Sequence, residues 1–455
     1  MSDKIRITQD DLYSKAVETI VAEQEALARA MPASRPTPRW RRILFSSLFF
    51  LAAAGLLGGL IGWMIIEPFI KESITVYGLI EDIQLPTLGE AEGRELHVRG
   101  LRVFVDDRVT RVNGENEYAT VKSVNDLKTG QPVRIEAMTM DPRQRIFIGT
   151  RVRVQPIPPG RDTEPLPDMD DLATSKLVSS IFAFAIVGTC IAGLIAAADG
   201  FMSRNLRRGL LAGACGTGLA AAGGLLGLIP GGLVFALFTN LATQAAGEGM
   251  WTSDTVTGMP LLLIVVGRSL TWGILGLTVG LGQGVAMRSK KLVVNGLLGG
   301  MLGGLLGGLF FEPIIKLFAN TDLSGQALVS RAFGFSIIGL SAGFMIGLVE
   351  HLSKDAWLLM RAGPLAGKQF IIYKNPTTLG SSPKCEVYLF KDPDVEPRHA
   401  LVRKVGTRHE IEDLDTPAGT LINGRRVRRQ MLGDGDQIMI GKTILEYAER
   451  SKSET

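Results

Sequence analysis

GLLGGLIGWMIIEP (residues 55–68) and GMLGGLLGGLFFEP (residues 300–313) are two copies of one pattern. Gly55, Gly58, Gly59, Gly62, Glu67 and Pro68 align with Gly300, Gly303, Gly304, Gly307, Glu312 and Pro313. Glycines three and four residues apart share a helix face. Without a charge before the closing Glu, each copy reads as a helix that is apolar all round, the kind that crosses a bilayer. A second pattern also recurs. Arg268, Trp272, Ile274, Gly276, Gly280 and Gly284 align with Arg331, Phe335, Ile337, Gly339, Gly343 and Gly347, and the stretch from Phe184 through Gly188 is a weaker copy. The block reads as an offset array of helix pairs.

Working outward from these copies, no charged residue lies between Arg42 and Glu67, Lys176 and Asp199, Arg208 and Glu248, Arg268 and Arg288, Lys291 and Glu312, or Arg331 and Glu350. The chain is 21% charged, so charge is concentrated outside these runs. The runs predict six transmembrane helices at 43–66, 177–198, 208–229, 262–287, 292–311 and 329–350. Pro230-Gly231-Gly232 ends the third, and the apolar piece 233–246 reads as a short interfacial or re-entrant segment. Flat glycine stripes let backbones approach where lipid gives no hydrophobic drive for association, so a tight bundle is expected. Glu67, Arg268, Glu312 and Arg331 fall near one boundary of the spans, and we expect them to pair across repeats as structural salt bridges.

Arg39, Arg41 and Arg42 precede the first span, Arg204, Arg207 and Arg208 lie between the second and third, and Arg288, Lys290 and Lys291 lie between the fourth and fifth. The positive-inside rule makes all three clusters cytoplasmic, with both termini inside and residues 67–175 outside. The first span is too long and too far from the start for a cleavable signal peptide. Residues 1–42 read as a cytoplasmic tail, with one short helix carrying Tyr13, Ala16, Val17, Ile20 and Leu27 and then a Pro/Arg linker. The expected divisions are 1–42 (tail), 43–66 (first helix), 67–160 (extracytoplasmic β domain), 161–176 (Pro-rich acidic tether), 177–352 (five-helix glycine-rich block) and 355–450 (a β-sandwich). The bilayer is thus one partner. Cys190, Cys215 and Cys385 are dispersed, which excludes a disulfide framework or zinc spacing, so no metal and no cofactor is expected. The formal net charge of +4 is too small for a chain of this length to imply nucleic acid.

Between Ile74 and Pro156 the pattern changes to short alternating strands separated by turns such as Asn113-Gly114 and Lys128-Thr129-Gly130. Five or so strands in this length suit a small closed barrel. The stretches GLRVFVDDRVT (100–110), DLKTGQPVRIEA (126–137) and GTRVRV (149–154) resemble the OB-like β-barrel domains catalogued as DUF5666.

Residues beyond 355 also alternate, with Asn-Gly and Gly-Asp-Gly turns that suit a β-sandwich. TTLGSSPKCEVYL (377–389), VEPRHALV (395–402), HEIEDLDTPAGTLINGRRV (409–427) and MLGDGDQIMIGKTILEY (431–447) resemble the forkhead-associated (FHA) family. That resemblance implies a phosphopeptide-reading type of scaffold. It also implies that the phosphothreonine contacts fall at Ser381, Glu396 and Ala418, where the family has Arg, Ser and Asn. A carboxylate at 396 would repel a phosphate. Ser381, Ser382, Arg398, His399, Thr416, Asn423, Arg425 and Arg426 are the expected partner-binding loop residues. His399 is expected to stabilise a loop rather than touch the partner.

No nucleophile with a base, phosphate loop or paired carboxylates appears, so an enzyme is not expected. The domain combination points to a bacterial inner-membrane scaffold or signalling adaptor. Its FHA-like module would recruit a cytoplasmic protein, with a phosphothreonine-containing one among the candidates. The alternative is a channel or transporter that the module regulates, and a homo-oligomer is left open. Thr189, Thr217, Gln283, Asn295 and Ser341 are the polar residues available to line a path, and no charge joins them.

Overall fold

The computed structural model describes residues 46–69, 73–85, 93–107, 110–141, 145–246, 258–317 and 323–450. The amino-terminal tail with its expected helix lies outside the described residues. Helices α1 (Ser47–Ile66), α2 (Met169–Met202), α3 (Leu206–Ala246), α4 (Gly258–Val279), α5 (Leu281–Ala286), α6 (Lys290–Leu317) and α7 (Leu323–Ser353) form one block. Among the described residues six segments are long and apolar enough to cross a membrane: Ser47–Phe69, Ala185–Met202, Leu206–Gly227, Gly258–Ala286, Lys290–Phe311 and Arg331–Ser353.

The long helices run up and down and pack as a ring, α1–α2–α3–α4–α6–α7 and back to α1. Glycine permits the approach. A Cβ at Gly55 would strike the Gly339 carbonyl, and one at Gly300 would strike the Gly276 carbonyl. Gly55 and Gly300 are aligned positions in the two sequence copies, and so are Gly339 and Gly276. The opposite stripe of each copy meets a different helix, Gly58 and Gly62 against Ile191 and Val187 of α2, and Gly303 and Gly307 against Ala342 and Ile338 of α7. Each glycine helix therefore packs backbone-close on two neighbours. At the ring's centre a void of about 30 Å³ is lined by Ala220, Trp272, Thr278 and Ile338 among others, little more than one water and apolar.

Three details depart from the sequence reading. The piece 233–246 is not a separate segment but the continuation of α3, which runs 41 residues with Pro230 inside it. Proline removes one N–H but leaves the rest of the ladder, and the Thr271 hydroxyl donates to the Gly231 carbonyl at 2.9 Å beside the interruption. The run 262–287 is broken after Val279 into α4 and α5, with Gly280 between them. The tether ends early: Asp168 caps α2 through the Asp170 N–H, and Leu166, Met169 and Leu172 pack on the β domain's core.

Among the described residues that β domain has seven strands, β1 (Ser73–Leu79) to β7 (Ile146–Val154), with β2 Asp82–Gln84, β3 Arg94–Val98, β4 Leu101–Val105, β5 Arg111–Gly114 and β6 Pro132–Asp141 between them. They order β1-β6-β7-β4-β3-β2, and β5 also pairs with β7. The two ends of this path are consecutive in the chain, separated only by Ile80 and Glu81, so the sheet curls into a half-barrel around Leu96, Val103, Ile135, Phe147 and Val152.

Residues 356–449 form a sandwich. Its strands include β8 (Ala356–Ala362), β9 (Gln369–Ile371), β16 (Arg429–Met431), β17 (Gln437–Ile440) and β18 (Thr443–Glu449), with β10 to β15 between β9 and β16. The functional argument uses β10 (Thr377–Gly380), β11 (Val387–Tyr388), β12 (Ala400–Val405), β13 (Arg408–Asp413), β14 (Thr420–Ile422) and β15 (Arg425–Val427). One sheet orders β11-β10-β12-β13-β16 and the other β15-β14-β17-β18-β8-β9. Leu358, Leu379, Val402, Ile411, Ile438 and Leu445 fill the space between the sheets. The long helices alternate in direction, with Gly347 near Leu48 and Phe335 near Gly59. The sandwich follows the end where α1 begins and α7 finishes, and the half-barrel follows α1's other end.

Candidate functional site

Chain direction brings the loops 381–386, 395–399 and 414–419 to one tip of the sandwich, where β10 ends, β12 begins and β13 ends. His399 is 0% exposed and ties these loops together. Its Nδ1 accepts the Glu396 N–H at 3.2 Å, and its Nε2 lies 3.2 Å from the Gly419 carbonyl and 2.9 Å from Thr416 Oγ1. Asp413 completes the network, accepting the Thr416 N–H at 2.9 Å and the Thr420 hydroxyl at 2.7 Å. Thr416 is buried in this network. It holds the loop's shape and does not present a hydroxyl to a partner.

The other expected residues divide. Arg426 donates to the Thr416 and Pro417 carbonyls at 3.0 and 3.1 Å and occupies the space beside Gly419, whose φ of +69° suits glycine. Asn423 does not join the tip cluster. Its amide donates to Asp436 at 2.8 Å and its carbonyl accepts the Gln437 N–H at 2.9 Å, which locks a different turn. The Ser381 and Ser382 N–H groups donate to the Glu396 and Pro397 carbonyls, joining two of the loops. Arg398, Arg425, Glu396 and Pro417 are exposed.

The sequence reading missed where the β10–β11 loop goes. It docks on the turn between α2 and α3. Asn205 Nδ2 donates to the Pro383 carbonyl at 2.7 Å and Arg208 to the Glu386 carbonyl at 3.2 Å. Beneath this contact Lys368, 1% exposed, lies 3.3 Å from Asp199 and against the Ser203 hydroxyl, while Arg208 holds the other Asp199 oxygen at 2.8 Å. Burial pushes the Lys368 ammonium below its ordinary value, and the Asp199 carboxylate offsets part of that. Lys291 pairs with Asp355 at 2.8 Å, and Arg450 donates to the Leu352 carbonyl at the end of α7. The only sequence signal for this dock was Asp199, a lone carboxylate at the end of an apolar run, and Lys368 is too distant in sequence to be matched with it.

On the opposite side of the helix ring Arg331 grips Glu67 through Nη2 at 2.6 Å and Nε at 3.1 Å, and Trp63 Nε1 donates to the same carboxylate at 2.9 Å. Arg268 lies over the Phe311 ring at 4.7 Å and the Phe235 ring at 5.6 Å. The Glu312 side chain lies outside the described residues. No group of three His, Cys, Asp or Glu side chains able to hold a metal occurs among the described residues.

Comparison with known proteins bears on the sandwich. The family model for the FHA domain matches residues 377–441. Over 105 residues the chain is 34% identical to the oxoglutarate dehydrogenase inhibitor of Corynebacterium jeikeium, covering 23% of this chain and 72% of that protein. Over 112 residues it is 32% identical to the glycogen accumulation regulator GarA of Mycolicibacterium smegmatis, covering 25% of this chain and 70% of that one. A solved structure from an analysis of phosphothreonine-dependent FHA domain interactions is 23% identical, with a TM-score of 0.20, covering 22% of this chain and 100% of its own. Through this carboxy-terminal module the chain belongs to the FHA domain family.

Proposed function

We propose that this chain is a membrane-anchored, non-enzymatic adaptor of a bacterial inner membrane. The six apolar helices anchor it, both termini face the cytoplasm, and the FHA module captures a cytoplasmic protein. The half-barrel stands on the outer side, where a ligand or protein binds to it. One observation carries the reading. The β10–β11 loop is held on the α2–α3 turn by Asn205 and Arg208, while Glu396, Pro417 and Arg425 of the same module remain exposed. A module fixed in this way presents its remaining loops in one orientation relative to the bundle, which suits recruitment.

Partner capture rests on protein surface rather than on phosphate. His399, Thr416 and Asp413 shape the loops, but exposed Glu396 sets a carboxylate at the tip and neither Ser381 nor Ala418 offers a cation. The matched glycine contacts support the reading of the bundle as a repeat-built anchor, and the apolar 30 Å³ void at its centre disfavours a conduit.

The test is binding of the full chain in nanodiscs to a phosphothreonine peptide library and its unphosphorylated twin. Equal binding supports the reading, and strong selectivity for the phosphorylated set refutes the phosphate-independent part. Sidedness is checked separately with protease on sealed vesicles of known orientation. The half-barrel should be cut only from the outer face and the FHA module only from the inner one.

A further inference from the structure

Between the tip of the FHA module and the turn from α5 to α6 lies an open groove of about 780 Å³. Six cations line it, Arg288, Lys290, Lys291, Lys374, Lys384 and Arg398, against the single carboxylate of Glu386. Lys291 is paired with Asp355 and Lys374 with Glu386, each at 2.8 Å. Arg288, Lys290, Lys384 and Arg398 are exposed and have no acidic partner among the described residues. Four uncompensated cations on a concave surface select an anion with several charged oxygens, and phosphate is such a group.

The surroundings decide what carries that phosphate. The groove's floor, Arg288 to Lys291, joins two membrane-spanning segments, so it sits where apolar helix surface gives way to charge. Directly along those helices Val285, Val294 and Leu298 are 44%, 52% and 46% exposed, and Val294 and Leu298 share a face of α6. An anionic head above and an apolar track beside it match a phospholipid, whereas a soluble phosphopeptide would leave the track uncovered.

We infer that this groove binds the headgroup of an anionic phospholipid, with acyl chains along Val294 and Leu298. The helix block contributes Arg288 to Lys291 to the groove, and the FHA module contributes the rest of its lining. The bound lipid therefore bridges the two and strengthens the docking of the module on the bundle. The inference takes the bundle to be membrane-embedded but does not depend on which protein the module recruits.

The test uses the full chain purified in detergent, with phosphatidylglycerol, phosphatidylcholine, inorganic phosphate and a phosphothreonine peptide as probes, read by native mass spectrometry. Phosphatidylglycerol should be retained over phosphatidylcholine. Arg288→Gln with Lys290→Gln, and separately Lys384→Gln with Arg398→Gln, should each lower that retention about tenfold. Arg204→Gln, an exposed cation outside the groove, should leave it unchanged, and melting temperatures show that the variants fold. Equal retention of the two lipids, or retention untouched by both groove pairs, overturns the inference. So does binding of inorganic phosphate with indifference to lipid, which makes free phosphate the ligand. Loss of phosphothreonine-peptide binding in the groove variants with lipid retention intact assigns the groove to a peptide instead. No recruited protein is present in this experiment, so its failure is distinct from failure of the adaptor reading.

Discussion

Replacing Asp199 with Asn should release the FHA module from the helix block, and the size of the effect follows from the burial of its partner. Lys368 is 1% exposed and 3.3 Å from Asp199, and among the described residues the Ser203 hydroxyl is its one further acceptor. Asp199→Asn leaves a buried ammonium without its counter-charge and with Arg208 close by. Breaking a buried pair in this way costs about 3 to 5 kcal/mol. Because Ser203 and the Asn carbonyl still accept hydrogen bonds, about 3 kcal/mol is expected, which is roughly a hundredfold in the docking equilibrium. Lys368→Met removes the charge itself and leaves Asp199 paired to Arg208 at 2.8 Å, so it should cost only about 1 kcal/mol. The double variant should be milder than Asp199→Asn alone.

The assay is hydrogen exchange on the full chain in nanodiscs. Amides of residues 381–386 should lose protection about a hundredfold in Asp199→Asn, while those of β13 inside the sandwich keep theirs. If the two single variants behave alike, or the double variant is worse than Asp199→Asn, then the pair does not hold the module and the reasoning fails.

Three further outcomes are expected. Gly276→Ala should lower the melting temperature in detergent by overpacking worth about 1 to 3 kcal/mol, because its Cβ meets the Gly300 backbone, whereas Gly188→Ala, with open space around it, should be neutral. Glu67→Gln removes the Arg331–Glu67 ion pair from a half-buried site and should cost about 2 kcal/mol in the same measurement, and an unchanged melting temperature would remove that pair from the account. Partial burial raises the Glu386 pKa, but hydrogen bonds from Lys374 and Thr378 outweigh it and hold the carboxyl below its ordinary 4.5. Its stabilisation is then present above pH 4.5 and lost as pH falls through the lower folded value. The stability gap between the natural chain and Glu386→Gln should therefore shrink on acidification, and a gap constant from pH 7 to below 4 would contradict the assignment.

The parts legible in the sequence are those that repeat or carry no charge. Six charge-free runs announced six long helices because burying an unpaired charge in a span is costly, and that cost leaves a visible gap in the sequence. The FHA module was legible because its turns need particular residues, as Asn423 with a φ of +50° and Gly424 with +83° illustrate. What stayed hidden depends on single contacts between distant segments. Nothing near Asp199 points to Lys368, and nothing in SSPKCE points to Asn205. Pro230 looked like an end because proline breaks helices in water, but a helix packed among others can run through it. The sheet's curl was hidden for a similar reason: only the pairing of β1 with β6 and of β2 with β3 shows that β1 and β2 are two halves of one bent segment. Thr416 and Asn423 looked like binding residues because they are polar and near loop tips, and both are occupied by internal hydrogen bonds.

The most direct test of the adaptor account is site-specific photo-crosslinking in cells that produce the full chain. Probes replace Glu396 and Pro417 at the exposed tip and Thr407 in the turn between β12 and β13 at the other end of the sandwich. The account predicts a discrete protein adduct from the two tip positions, none from Thr407, and no loss of the adduct when cell extracts are dephosphorylated before irradiation. Equal adducts at all three positions, or none at the tip, would contradict it.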